Sequence, residues 1–212
     1  MTFGILLFPG VEELDFVGPW EMAAMWSAYA DGPEKLVAVA QTKGTLRCAK
    51  GLGVVADYDF EDCPDLEYLL IPGGYSVFGE LANESLTKFV QRAAKSAKHV
   101  LSVCSGAFIL HKAGLLDGKN ATTHWKAHEQ FAALPGVNLV SERWVRDGNT
   151  WTSAGVSAGI DMTLAFISEI AGEDAASIVQ MNSEYYPDGK IYGKAHEDLL
   201  NVDYIKKLDG EM

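Results

Sequence analysis

The stretch Val100–Ala107 has the sequence VLSVCSGA, in which an apolar strand ends at Cys104 and passes through Gly106 into a predicted helix, Ala107–Ala113. A sharp strand-to-helix turn with a nucleophilic residue at its tip is typical of a nucleophile elbow. Such a residue lies on strained backbone at the carboxyl edge of a parallel sheet, and the following helix terminus favours thiolate over thiol. Cys104 is therefore the candidate nucleophile, and a buried, inert cysteine is the alternative.

Short apolar runs recur outward from this turn and alternate with longer amphipathic stretches. The predicted strands are Phe3–Phe8, Leu36–Ala40, Tyr68–Ile71 and Val100–Cys104, and the helices between them include Val17–Tyr29 and Leu81–Ala97. Strands that are apolar on both faces and alternate with helices imply a mostly parallel sheet covered on both sides. We expect an α/β three-layer sandwich, formed as a single domain over residues 1–212 because no linker-like segment interrupts the chain.

Two stretches break this alternation. Thr45–Ala56 is rich in glycine, and Arg143–Thr152 carries an Asp-Gly turn between alternating residues, so both are expected to be antiparallel hairpins that decorate the sheet. Further helices are predicted at Ala158–Ala171, Asp174–Glu184 and Ala195–Lys207.

Composition excludes several classes of function. The chain has 212 residues and a net charge of −12, which opposes binding to nucleic acid because a polyanion needs clustered Lys and Arg. No apolar run is long enough for a membrane helix, and no signal peptide is expected. The three cysteines are an odd number in a chain too long to need disulfides, which favours a reducing, cytoplasmic location.

Two further features are predicted to meet Cys104 at the carboxyl edge of the sheet. Gly73 and Gly74 follow a buried strand, where their backbone N–H groups can form an oxyanion hole; an ordinary turn is the alternative. Asp15 stands between apolar Leu14 and Phe16, so its carboxyl is expected to be partly desolvated, with a raised pKa, and suited to holding or delivering a proton. A helix N-cap is the alternative for Asp15.

These motifs, taken together, resemble the ThiJ/PfpI superfamily of class I glutamine amidotransferase-like proteins. The segments that carry the resemblance are Leu14–Pro19 with Glu21, Ile71–Gly74, Ser102–Gly106, Ala113–Gly118 and Ala121–Trp125. They occur in the expected order over most of the chain. Within the superfamily they are similar to the branch that contains isonitrile (isocyanide) hydratase and the amidotransferase-like domains of AraC-type regulators.

The resemblance implies a flavodoxin-like sandwich, usually a homodimer, that acts on a small-molecule substrate without metal or organic cofactor. It implies Cys104 as the nucleophile and Asp15 as its acidic partner. The thiolate would attack an isocyanide carbon to give a thioimidate, which water releases as an N-substituted formamide. Backbone N–H groups of Gly73, Gly74 and Ser105 would then bind the substrate and its polar intermediates.

The chain departs from the superfamily at one position. Protease-like members carry His directly after the nucleophile, whereas Ser105 stands there, so peptidase activity is disfavoured. Two other activities stay open: amidase or glyoxalase-like action of the same thiol on small carbonyl compounds, and a non-catalytic sensor in which Cys104 is oxidised.

Other side chains have weaker support. His124 is a possible auxiliary proton carrier, although a hydrogen-bonded structural histidine is the favoured alternative. Asp161 could be a remote acid, but an Asp in a first helical turn usually complements the helix dipole. Trp20, Phe78 and Trp125 could shape an apolar pocket, although packing in the core is the favoured alternative for each. No metal is expected, since His124 and His128 lack an evident third ligand.

Overall fold

The computed structural model describes residues 1–188 and 202–206, and its centre is a six-stranded sheet. The strands along the chain are β1 Thr2–Leu6, β2 Lys35–Val39, β3 Gly44–Arg47, β4 Gly53–Ala56, β5 Tyr68–Ile71, β6 His99–Val103, β7 Lys119–Ala121, β8 Val137–Leu139, β9 Trp144–Asp147 and β10 Thr150–Ser153. The order in the sheet is β2-β1-β5-β6-β10-β9. All pairs are parallel except β10 with β9, so the predicted, mostly parallel sheet is confirmed.

Helices cover this sheet in two groups. They are α1 Glu13–Tyr29, α2 Val77–Glu80, α3 Glu84–Ser96, α4 Gly106–Lys112, α5 His128–Ala132, α6 Ala158–Ala171, α7 Glu173–Asn182 and α8 Asp203–Lys206. Helices α1, α6 and α7 pack together, and α4 packs with α2 and α3, which gives the three layers of the predicted sandwich. No helix within the described ranges combines the length and apolar character that crossing a membrane requires.

The core between sheet and helices is aromatic on the side of α1 and α6. Trp26 of α1, Tyr68 of β5 and Phe166 of α6 contact one another, and Trp151 of β10 meets Phe166 edge to face. These side chains are almost completely buried. Because they join both helices to two central strands, they fix α1 and α6 against this face of the sheet.

Two predictions about elements need correction, and a third falls mostly outside the described residues. Arg143–Thr152 is a hairpin, as predicted, but it is not an external decoration: β10 is a full strand of the central sheet and pairs in parallel with β6. Thr45–Ala56 does form a separate antiparallel pair.

Helix α1 begins at Glu13 rather than Val17. Glu12, with extended backbone, is the residue at the N-cap, and Asp15 lies inside the first turn. Asp15 is therefore not an N-cap. Of the helix predicted over Ala195–Lys207, Asp203–Lys206 is helical and the rest lies outside the described residues.

Candidate active site

The candidate site forms where the carboxyl ends of three neighbouring strands meet. β5 lies between β1 and β6, with Ile5 paired to Leu70 and Ile71 paired to Ser102. This order brings together the start of α1 after β1, the glycines after β5 and Cys104 after β6. Side chains that are distant in sequence therefore meet at one edge of the sheet.

Cys104 sits at the tip of the predicted elbow with φ +58, a left-handed conformation that non-glycine residues rarely adopt. Its backbone is held from several directions: its N–H lies 3.1 Å from the carbonyl oxygens of both Ser153 and Ala154, and its carbonyl oxygen accepts the Thr123 hydroxyl at 2.8 Å. Cys104 as a whole is 7% exposed. The surrounding contacts thus hold the nucleophile in its strained conformation.

Gly106 makes this turn possible. A Cβ at this position would lie 2.2 Å from the Ile71 carbonyl oxygen and 2.8 Å from that of Pro72. Both contacts are with backbone atoms, which cannot swing away as a flexible side chain can. The elbow and β5 are therefore packed too closely for any side chain at residue 106.

Replacement of Gly106 by Ala is expected to lower the free energy of unfolding by more than about 2 kcal/mol, because overpacking against backbone forces the elbow to move. Denaturant unfolding measures this effect. Gly79→Ala is the matched control, since a Cβ there meets nothing within 4 Å and should change stability by less than about 1 kcal/mol. Equal stability of Gly106→Ala and the parent protein would contradict the close packing described here.

Asp15 lies directly against the nucleophile. Its side chain is 0% exposed, and its Oδ2 accepts the Gly73 N–H at 2.8 Å. The other oxygen, Oδ1, is buried without a hydrogen-bond partner among the described residues, and the Cys104 thiol is close enough to affect the pKa of the carboxyl. Burial raises the pKa of Asp15 to about 7. The predicted desolvation of this carboxyl is confirmed, and its proton is available near neutral pH.

Burial also raises the pKa of Cys104, to about 12, and the negative charge of Asp15 acts in the same direction. The neighbouring Ser105 lowers the pKa of this thiol, but not enough to cancel the rise. The expectation that the helix terminus favours thiolate over thiol at Cys104 is therefore wrong, because burial has the larger effect. Between about pH 7 and about pH 12 the two groups together carry one proton and one negative charge.

The two glycines do not present free donors, which corrects the oxyanion-hole prediction. The Gly73 N–H donates to Asp15, and the Gly74 N–H donates to Oγ of Ser105 at 3.0 Å. A Cβ on Gly73 would lie 2.6 Å from the Ser105 nitrogen, so this glycine permits close packing of two turns. The Ser105 hydroxyl in turn donates to the Gly74 carbonyl oxygen at 3.0 Å, so the Ser105 N–H is the donor left beside the Cys104 sulfur.

A cavity of about 460 Å³ opens over Cys104, which is a suitable size for a small organic molecule. The residues that line it are Glu12, Lys50, Gly74, Tyr75, Phe78, Cys104, Ser105, His124, Trp125, Lys126, Ala127, Gln130 and Val156. Phe78 and Trp125 thus lie in the wall, although core packing was the favoured alternative for them, whereas Trp20 packs against the main core. The wall combines aromatic surface with an ion pair between Glu12 and Lys50.

His124 lines the cavity as a neutral ring. Burial lowers its pKa, with smaller contributions from Lys126 and His128. Its Nδ1 accepts the Lys126 N–H at 3.2 Å, so the neutral ring carries its proton on Nε2. His128 instead bonds to the Thr123 carbonyl oxygen, and no cluster of three metal-binding side chains occurs in residues 1–188 and 202–206.

Asp161 is not among the cavity-lining residues. Its Oδ2 accepts Nε of Arg143 at 2.6 Å, and its Oδ1 accepts the Tyr185 hydroxyl at 3.0 Å. Because both oxygens are occupied at the start of α6, the geometry supports a structural ion pair rather than a remote acid.

Sequence reasoning missed two parts of the wall. Lys50 comes from the turn of the β3–β4 hairpin, which Glu13 holds against α1 by accepting the Lys50 N–H at 2.6 Å. Val156 has φ +51, an unfavourable conformation for a β-branched residue, and no local pattern predicts it. Both positions depend on contacts between distant segments.

Comparison with known proteins agrees with this description. Residues 2–169 match the DJ-1/PfpI family. Isonitrile hydratase of Pseudomonas putida is 40% identical over 190 residues, which cover 88% of this chain and 79% of that protein. A ThiJ/PfpI family protein from Pseudomonas syringae superposes with a TM-score of 0.83 at 31% identity, covering 99% of this chain and 89% of that one. The HTH-type transcriptional regulator CdhR of Pseudomonas aeruginosa is 26% identical, and the match covers 94% of this chain but 59% of the regulator.

Proposed function

This chain belongs to the DJ-1/PfpI family, and we propose that within it the protein hydrates isocyanides to N-substituted formamides. One observation carries the proposal: a buried carboxyl that titrates near neutral pH lies against a thiol at the floor of a cavity sized for a small molecule. The similarity to isonitrile hydratase supports this choice of substrate class.

The first step needs a soft nucleophile and a proton source. At neutral pH and above, the Cys104 thiol is protonated and the Asp15 carboxyl is ionised. Asp15 accepts the thiol proton as the Cys104 sulfur attacks the terminal carbon of R–N≡C. A sulfur–carbon bond forms, and the negative charge that develops on that carbon is removed when Asp15 returns the proton to it. The product is a thioimidate, R–N=CH–S, in which the proton lost by sulfur is now on carbon.

Water then completes the reaction. It adds to the thioimidate carbon while the imine nitrogen gains a proton, and the resulting tetrahedral carbon expels the cysteine sulfur as the C=O bond forms. Asp15 is positioned to transfer these protons because its Oδ1 has no competing nitrogen or oxygen donor among the described residues. The Ser105 N–H stabilises charge on the sulfur as it leaves.

The substituent of the isocyanide would occupy the outer part of the cavity. Tyr75 and Phe78 are exposed aromatic side chains at this wall, 82% and 44% exposed, and Trp125 lies there as well. Burying an apolar group against them removes apolar surface from water on both sides. The proposed substrates are therefore isocyanides with apolar substituents.

The test is a product assay with benzyl isocyanide and reduced protein. We expect loss of the isocyanide stretching band in the infrared and the appearance of N-benzylformamide, at a rate proportional to protein concentration. The same preparation is assayed with benzamide and phenylglyoxal. Turnover of either of these without isocyanide turnover would overturn the proposal in favour of amidase or glyoxalase-like activity.

We also propose that the protein is a homodimer. Leu14 and Val17 on α1 are 38% and 40% exposed, and Leu52, whose N–H approaches Glu13 of the same helix, is 47% exposed. Adjacent exposed apolar side chains of this kind are typical of an interface. Sedimentation equilibrium should give twice the 23.0 kDa chain mass, and Val17→Glu should return it to the single mass. A 23.0 kDa species for the unchanged protein would contradict the proposal.

A further inference from the structure

A second, small hydrophobic cluster lies apart from the main core. Its buried members are Ala154, Ala158, Val202 and Tyr204, and the partly buried side chains packed on them are Trp125 and Ile205. Tyr204 is 8% exposed although it belongs to a short helix, α8, near the end of the chain. A large side chain so well covered contributes substantial packing energy where it lies.

This cluster lies directly behind the active-site wall. The carbonyl oxygen of Ala154 faces the Cys104 N–H at 3.1 Å, and Trp125 is part of the cavity lining. Between Ala154 and Ala158 the chain passes through Val156, which also lines the cavity. The segment 154–158, called the wall loop below, therefore contacts the nucleophile on one side and Tyr204 on the other.

The wall loop needs support from both sides because Val156 is held at φ +51. Such a conformation costs on the order of 1–3 kcal/mol and persists only where the surroundings determine it. Arg143 provides one support: its carbonyl oxygen accepts the Ala154 N–H at 2.9 Å, and its guanidinium contacts Ser157 at 3.3 Å. The packing of Tyr204 on Ala154 and Ala158 provides the other.

We propose that Tyr204 is a positioning residue for the active site: its packing behind the wall loop holds Val156 and the backbone of Cys104 in the reactive geometry. Its influence on the nucleophile passes through Ala154, Val156 and Trp125. The charges of Arg143 and Cys104 both act on the Tyr204 hydroxyl, which agrees with its place beside these two residues. The ring, rather than the hydroxyl, carries the role, because the contacts are with alanine and other apolar side chains.

The test compares Tyr204→Ala with Tyr204→Phe in the full-length protein. Loss of the ring is expected to lower kcat for benzyl isocyanide by about 10- to 100-fold, because small displacements of reacting groups have effects of this size. KM should change less, since the aromatic side chains at the cavity mouth remain. Tyr204→Phe keeps the packing and should retain kcat within about threefold of the parent value.

The kcat measurement rests on the proposed function. A second readout does not depend on it. The rate at which iodoacetamide alkylates Cys104, followed by mass spectrometry, should rise about threefold or more in Tyr204→Ala, because a loosened wall exposes the thiol. Val179→Ala is the control, because Val179 is 0% exposed in α7 and does not line the cavity. It should lower the melting temperature without changing either readout.

Three results would overturn the proposal: unchanged kcat and alkylation in Tyr204→Ala, equal changes in Val179→Ala, or a loss in Tyr204→Phe as large as in Tyr204→Ala. If the parent protein does not hydrate isocyanides, the proposed function fails. The alkylation rates still decide the role of Tyr204 in that case.

Discussion

Replacing Cys104 with alanine is expected to reduce isocyanide hydration to the uncatalysed rate, a loss of about 10⁴-fold or more, because removal of a covalent nucleophile eliminates the pathway through the thioimidate. The cavity and Asp15 would remain, but neither supplies a soft nucleophile. The measurement is initial formamide production at saturating benzyl isocyanide. Acid quenching of the parent protein should also trap a mass increase of one substrate molecule on the peptide that contains Cys104.

Cys63→Ala is the matched control for this experiment. Cys63 is a free cysteine whose thiol donates to the Pro64 carbonyl oxygen. Burial raises the pKa of this thiol to about 11, so Cys63, like Cys104, is protonated at neutral pH. Cys63 does not line the cavity. Its removal should leave hydration unchanged. Activity that survives in Cys104→Ala, or is lost in Cys63→Ala, would contradict the assignment of the nucleophile.

Replacing Asp15 with asparagine is expected to lower kcat by about 10²- to 10⁴-fold, the range typical of a general acid–base residue. The asparagine oxygen can still accept the Gly73 N–H, so the turn after β5 should keep its place, but the side chain can neither take the thiol proton nor return it to carbon. Steady-state kinetics measure the loss. Asp57→Asn is the control and should leave kcat unchanged. Oδ2 of Asp57 also accepts a backbone N–H, from Ala38 at 2.8 Å, but Asp57 does not line the cavity.

The pH dependence gives a second signature of the same change. In the parent protein kcat/KM should rise through about pH 7, where Asp15 loses its proton and the pair with Cys104 acquires its single negative charge. In Asp15→Asn this rise should disappear. A profile that keeps its rise near pH 7 after the substitution would assign the titrating group to another residue.

Asp15→Asn should also change stability in a direction opposite to its effect on activity. The folded-state pKa, about 7, lies above the ordinary value of 3.8, so the carboxyl binds its proton more tightly in the folded chain. Stability is therefore lost as pH rises from about 4 to about 7, by roughly 4 kcal/mol at about 1.4 kcal/mol per pKa unit. The asparagine variant should unfold at higher denaturant concentration than the parent at pH 8 and not at pH 4. Equal midpoints at pH 8 would show that Asp15 is not desolvated as described.

Local sequence patterns predicted most strands and helices, because the formation of these elements depends mainly on residues close together in the chain. The strand Tyr68–Ile71 and the helix Ala158–Ala171 have the bounds predicted for them, since continuous apolar runs and helical spacing leave few alternatives. The hairpin Arg143–Thr152 was predicted correctly as a hairpin but misplaced. Its turn is a local feature, whereas the pairing of β10 with β6 depends on which distant strand is adjacent.

For Cys104 and Asp15, too, local sequence predicted some properties and the tertiary structure set the others. Motif order and residue type were sufficient to select Cys104 and Asp15, because an elbow and a carboxyl between apolar neighbours have recognisable chemistry. The acceptors of the Gly73 and Gly74 N–H groups were not predictable, since they belong to Asp15 and Ser105, far away in the chain. The suppressed thiolate of Cys104 escaped prediction as well, because burial is a property of the assembled edge.

The sequence by itself determined the alternation of strands and helices, the elbow at Cys104 and the acidic character of the protein, because each follows from composition or short-range spacing. Only the tertiary structure decided that β5 lies between β1 and β6, that Asp15 is buried beside Cys104, and that Tyr204 belongs to one cluster with Ala154 and Ala158. Strand order, burial and charge coupling arise when distant segments pack together, so the energies that set them have no counterpart in any local stretch of the chain.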